Sequence, residues 1–284
     1  MSDNPLCKLF GKLKNNSETV EGILEELGEE LAQYIYLIDE FNDEDLNLLE
    51  GKRGRQFRET YTNFFGLFKQ GLEKKKQEKA RLKHFEIMQK CRKNHDFVRK
   101  CSKMDCKSSA FKEVLLCLHS IRKFTEKSFG AKLLSMMNPA VCPPWDSNVE
   151  TVLKPHLPSL GNSKRKKLPG SKDFDGWNTF YMKLCVWYEE FVNEDIKKKT
   201  GWINQFYQWF DNQWYPWYEQ KILNAQKDEL NDGIIKPVCL TKSYKKYSIK
   251  DIIKPVKIID LLLWQKGRQE KRLIRQKKRQ NKQT

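Results

Sequence analysis

The sequence predicts an all-α protein, and three observations carry that expectation. Apolar residues recur at spacings of three and four along most of the chain. No segments of alternating polarity fall at the spacing of a parallel α/β fold, and no internal repeat of fixed period is present. The 284 residues include sixteen Phe, ten Tyr and eight Trp, enough bulk for a substantial core rather than a disordered polyelectrolyte.

Taken in order, Val20, Ile23, Leu24, Leu27, Leu31, Tyr34, Ile35 and Ile38 mark an amphipathic helix over 17–41, with Ser17 as its cap and an acidic outer face. Phe57, Tyr61, Phe64, Phe65, Phe68 and Leu72 continue the period in a second helix, extended by the polar run 74–81. A third helix runs through Phe111, Val114, Leu115, Leu118 and Ile121. A fourth covers 130–137 and ends at Asn138-Pro139, since proline cannot continue a helix and restricts the residue before it. Residues 154–176, with Lys164, Arg165, Lys166 and Lys167, read as an exposed basic loop. Aromatic helices follow through Trp177, Phe180, Tyr181, Leu184, Trp187, Tyr188 and Phe191, then Trp202, Phe206, Trp209 and Phe210; aromatics at helical spacing are ordinarily core. The segment 242–250 has some β character. An apolar helix over 256–264 leads into a basic tail, 265–284, which either extends that helix or orders on meeting phosphate. The whole of 1–264 is expected to form the helical domain.

Charge is unevenly placed. The net charge is +17, yet residues 18–50 hold twelve acids and no Lys or Arg, so the rest of the chain carries +29 once those twelve are set aside. Residues 52–107 hold eighteen Lys and Arg against six acids, and the last twenty residues nine against one. A polyanion is the natural partner of such a surface, because each neutralised phosphate releases condensed counterions. Double-stranded DNA is the expected partner, gripped by the loop lysines and by Arg272, Arg275, Lys277, Lys278 and Arg279. The bland alternative for each charge run is a solvated helix face; the acids of the first helix read as an intramolecular counterpart of the basic regions, a mimic of phosphate, or solubilising, and the last is expected.

No run approaches eighteen apolar residues, and the first residues do not resemble a secretory signal. The eight cysteines stand singly, several at apolar positions such as Cys117 and Cys185. They fit core residues of a reducing compartment, so a cytoplasmic monomer is expected. Cys91, His95, Cys101 and Cys106 contain the ligand types of a zinc site but no Cys-x-x-Cys pair, so no metal is expected. P-loop, dinucleotide and nucleophile-elbow motifs are absent.

One stretch points to a reaction. Gly130-Ala131-Lys132 is followed, fourteen residues from the lysine, by Asp146 within Pro143-Pro144-Trp145-Asp146-Ser147-Asn148-Val149. This pattern resembles the active-site stretch of the helix-hairpin-helix DNA glycosylases, in which a Gly-x-Lys opens a helix and a Pro-x-x-Asp-x-x-Val segment presents the catalytic aspartate. The resemblance implies an all-α glycosylase without metal or organic cofactor, acting in repair or in defence against phage DNA. Asp146 would stabilise the oxocarbenium-like sugar, Lys132 would attack C1′ in a lyase step, and Gly130 would face the DNA. Trp145, Trp177 and Tyr181 are candidate walls of a pocket for the flipped base. Glu126 to Phe129 depart from the family hairpin, Leu-Pro-Gly-Val-Gly, of which only Gly130 remains. The alternatives are a non-catalytic DNA- or RNA-binding protein, with Asp146 a helix cap, and an interaction module docking a basic partner through 18–41.

Overall fold

Helix α13, Pro255–Gln280, is the axis of the structure, a computed structural model that describes residues 4–64, 74–94, 96, 109–122, 127–157, 168–170, 172–228 and 249–281. Proline at the first helical position sets its start, where the missing N–H costs nothing. Every residue from Val256 to Leu263 is buried, so this half is wrapped on all sides and its apolar residues need no amphipathic stripe.

The other helices surround it: α1 (Pro5–Asn15), α2 (Val20–Leu24), α3 (Glu29–Asn42), α4 (Gly51–Phe64), α5 (Lys74–Lys93), α6 (Ala110–Arg122) and α7 (Lys127–Met137). Then come α8 (Ser147–Leu153), α9 (Phe174–Asp195), α10 (Trp202–Trp209), α11 (Tyr215–Asp228) and the short α12 (Ile249–Ile252). Helix α13 packs most extensively against α8, with α2, α9 and α10 also against it. Helix α9 lies on α6 and α1, α7 on α6 and α3, and α4 on α3. Among the described residues there is no strand, and no helix is long and apolar enough to cross a membrane.

The expected first helix is two. Gly28 takes φ +47°, a left-handed conformation that breaks the chain between α2 and α3, and the Trp214 indole donates to its carbonyl at 2.9 Å. The cap is Thr19, not Ser17: its Oγ1 accepts from the Gly22 N–H, while Ser17 sits in the turn at φ 58°. The fourth helix begins at Lys127, earlier than its spacing suggested, and ends at Met137 before Asn138-Pro139 as expected. Residues 249 and 250, placed in a segment of β character, belong to α12; the rest of that segment lies outside the described residues.

The aromatic run is core. Phe206, Phe210, Trp214 and Tyr218 stack in succession at 6.2, 5.0 and 4.9 Å through a π-helical turn, Phe210–Trp214, that joins α10 to α11. The tail extends α13, and Lys266, Arg268 and Arg272 form ion pairs with Glu18, Glu30 and Glu26. Acids expected to solubilise the first helix thus neutralise part of the last one.

Candidate functional site

Asp146 is held by three features of its loop. The Pro143 carbonyl accepts a hydrogen bond from the Tyr181 hydroxyl at 2.7 Å. Trp145 is buried edge-on against Phe180, with ring centroids 4.9 Å apart. Asp146 itself is extended and caps α8, its Oδ1 accepting from the N–H groups of Asn148 at 2.8 Å and Val149 at 3.1 Å. That leaves Oδ2 on the opposite side, 3.7 Å from the Lys132 Nζ.

Lys132 reaches this point from α7. Its helix packs so closely on α6 that a Cβ at Gly130 would lie 3.2–3.3 Å from Leu115, Phe111 and Val114. Gly130 is therefore an interior packing residue of α7 and does not open the helix or face outward, contrary to the expected role. The Lys132 side chain is 5% exposed and that of Asp146 11%. Burial lowers the lysine's affinity for its proton, against the opposing pull of Asp146 and Asp260. Two residues fourteen apart in sequence thus share the floor of one cleft.

The cleft has a volume of about 490 Å³. Beside Lys132 and Asp146 its lining holds two further opposite-charge pairs, Lys127 with Glu150 at 3.3 Å and Arg268 with Glu30. Its cations and anions are equal in number. One wall is aromatic: Phe64 and Trp264 stack at 5.4 Å with 23° between planes, and the Arg268 guanidinium lies 4.6 Å from the Trp264 ring. At the rim, the Lys271 Nζ donates to the Ser147 Oγ at 2.7 Å and the Asn148 Oδ1 at 2.8 Å.

Two further ionisable groups lie deeper. Lys257 and Asp260, both buried, stand one turn apart on α13, and the Lys257 Nζ is 5.9 Å above the Tyr34 ring. Burial raises the Asp260 carboxyl, and the nearby Asp146 carboxylate adds to the rise; burial lowers the Lys257 ammonium. The Asp146–Lys132 pair and these two groups feel each other electrostatically, so the site is an interior network of four ionisable groups.

Gly267 sets the approach of α13 to this site. A Cβ there would lie 2.2 Å from the Asn148 carbonyl oxygen, so α13 crosses the start of α8 at a distance only glycine permits. Both walls of the cleft depend on that crossing.

Lys132 and Asp146 are thus brought together as expected. Trp145, Trp177 and Tyr181 are not on the cleft wall: all three are buried in the core. Trp177 donates to the Gly170 carbonyl at 2.9 Å and carries the Lys127 ammonium 4.2 Å above its ring. The aromatic residues of the cleft wall are Phe64 and Trp264. Lys164, Arg165, Lys166 and Lys167 lie outside the described residues, as do His95, Cys101 and Cys106 of the weighed zinc set. Cys91 is described, and burial pushes its thiol up to about 12, away from the thiolate a metal needs. Among the described residues no cluster of metal-ligating side chains occurs. Arg275, Lys277, Lys278 and Arg279 are exposed on the end of α13.

The sequence pattern did not single out Asp260, Lys257 or Trp264. A signal was present: two charges one turn apart inside an apolar run, where a solvated side chain has no place. Comparison of the chain with protein-family models, curated proteins and solved structures finds no match.

Proposed function

We propose that this protein is a DNA glycosylase whose reacting groups are Asp146 and Lys132. The observation that carries the reading is their meeting, carboxylate oxygen 3.7 Å from amine, on the floor of a cleft with an aromatic wall. One Asp146 oxygen is committed to the α8 cap and the other is left for chemistry. A carboxylate so fixed stabilises positive charge developing on a sugar ring without reorganising, and can accept a proton from an attacking water.

Lys132 supplies a second route. Its amine attacks C1′ only when neutral, and burial moves it towards that form. The N–C1′ bond forms as the glycosidic bond breaks, the base leaves with the electron pair, and the amine's proton passes to Asp146 or to the departing base. The equal charges of the cleft suit an uncharged planar base rather than a phosphate, with the aromatic wall giving it an apolar surface. Backbone phosphates would be met at its mouth, from Arg268 outward along α13.

The test is excision from duplexes carrying damaged or phage-modified bases, read as alkali-labile sites. Asp146→Asn keeps the cap, since Asn caps as well as Asp, and should lower excision by about 10²–10⁴-fold while DNA binding persists. Borohydride should trap a covalent adduct with the protein and none with Lys132→Ala. Absence of excision across a broad panel of modified bases overturns the proposal.

A second reading, non-catalytic DNA binding, is favoured by Asp146 being a fully competent cap and by the arginines of α13. Under it, Asp146→Asn changes nothing measurable.

A further inference from the structure

The arginines of α13 follow a spacing with its own consequence. Arg268, Arg272, Arg275 and Arg279 are separated by four, three and four residues, which places them on one face of a continuous helix. Lys271 and Lys278 flank the same stripe. At 1.5 Å per residue the four arginines span about 16 Å, the rise of roughly five base steps at ~3.4 Å each along the duplex axis. The inner end, Arg268, lines the cleft, and the outer end projects where residues 272–281 are exposed on every side.

The two halves of the stripe differ in their counterions. Arg268 is paired with Glu30 and Arg272 with Glu26, while Arg275 and Arg279 carry no ion pair among the described residues. The opposing acids stand on either side of Gly28, Glu26 before it and Glu30 in the first turn of α3. Carboxylate and phosphate satisfy the same guanidinium fork.

From this we infer that the stripe is a rail for the phosphates of duplex DNA, and that Glu26 and Glu30 are an internal substitute for two of them. Phosphates bind first at Arg279 and Arg275, then displace Glu26 and Glu30 from Arg272 and Arg268, drawing the strand to the cleft. The inference rests on the nucleic-acid part of the proposed function but not on excision. Duplex DNA is favoured over an acidic protein because guanidinium groups repeating about every 4.5–6 Å along one helix face meet a polyanion whose charges also repeat, which an acidic side-chain patch does not offer.

Binding of a labelled duplex by the full chain, followed by fluorescence anisotropy over a salt series, tests it. Arg275→Ala with Arg279→Ala, both at exposed positions, should reduce the slope of log K against log salt by about 1.8, the loss of two phosphate contacts. Glu26→Gln with Glu30→Gln should tighten binding about two- to thirty-fold at low salt, because two surface ion pairs, that of Arg268 part-buried, no longer have to be broken. An unchanged slope in the arginine variant overturns the rail. Unchanged or weaker binding in the glutamine variant, with its thermal unfolding transition intact, overturns the substitution. Polyglutamate bound as tightly as DNA, with the same dependence on Arg275 and Arg279, would assign the face to an acidic protein and overturn it as well. If DNA binds through the stripe and no base is ever released, the rail stands and the glycosylase reading falls.

Discussion

Helix α13 carries ionic groups in both its halves, and the two halves treat them in opposite ways. In the inner half Lys257 and Asp260 are enclosed, where taking a charge from water costs several kcal/mol and only a well-placed opposite charge offsets it. In the outer half Arg272 and Glu26 face each other at the surface, each nearly half exposed, where water screens them and the pair is worth roughly 0–1 kcal/mol. The same residue types in one helix therefore do different things. The inner charges organise an interior site, and the outer ones are available to a partner at little cost to the fold.

The largest expected effect comes from splitting the inner pair. Lys257→Met removes the positive charge that opposes the rise of the buried Asp260 carboxyl and should cost about 3 kcal/mol in urea denaturation. Lys257→Met combined with Asp260→Leu should recover much of that loss. Equal destabilisation by the single and double variants would show that the pair is not the unit. Gly267→Ala comes next: the added methyl meets the Asn148 carbonyl at 2.2 Å, so α13 and α8 must part. We expect about 1–3 kcal/mol of destabilisation and a displaced Asp146, read by denaturation and by loss of the activity proposed above.

A smaller effect tests the burial of Lys132. Its folded pKa lies below the ordinary 10.5, so the unfolded chain binds more protons and stability rises with pH between the two values. Measured by denaturation from neutral pH towards 10.5, the wild type should gain on Lys132→Met; parallel profiles would place the lysine in water. The smallest effect belongs to the outer half. Arg272→Ala should lower stability by less than about 1 kcal/mol, and the loss should vanish in high salt. A loss as large as that of Lys257→Met would erase the contrast between the halves.

Much of the fold was legible because its signals are local. The third helix and the stop at Asn138-Pro139 follow from periodicity and from what proline cannot do. The break at Gly28 was harder to read, because apolar periodicity runs through it and a glycine inside a helical pattern costs only about 1 kcal/mol. The site was half legible. Lys132 and Asp146 stood out through a short pattern, whereas Trp145, Trp177 and Tyr181 read equally well as pocket or core, since aromatic spacing does not say which face a neighbour covers.

The sequence by itself determined the helical class, the cap at Asp146 and the surplus of basic charge, all properties of residues and their near neighbours along the chain. Only the tertiary structure decided that Asp146 meets Lys132, that Phe64 and Trp264 rather than three buried aromatics wall the cleft, and that Glu26 and Glu30 occupy two arginines of the tail. Those are contacts between residues from fourteen to more than two hundred positions apart. They depend on how α13 crosses α8 and α2, and that crossing is set by shape, through a glycine at 267 that lets two backbones touch.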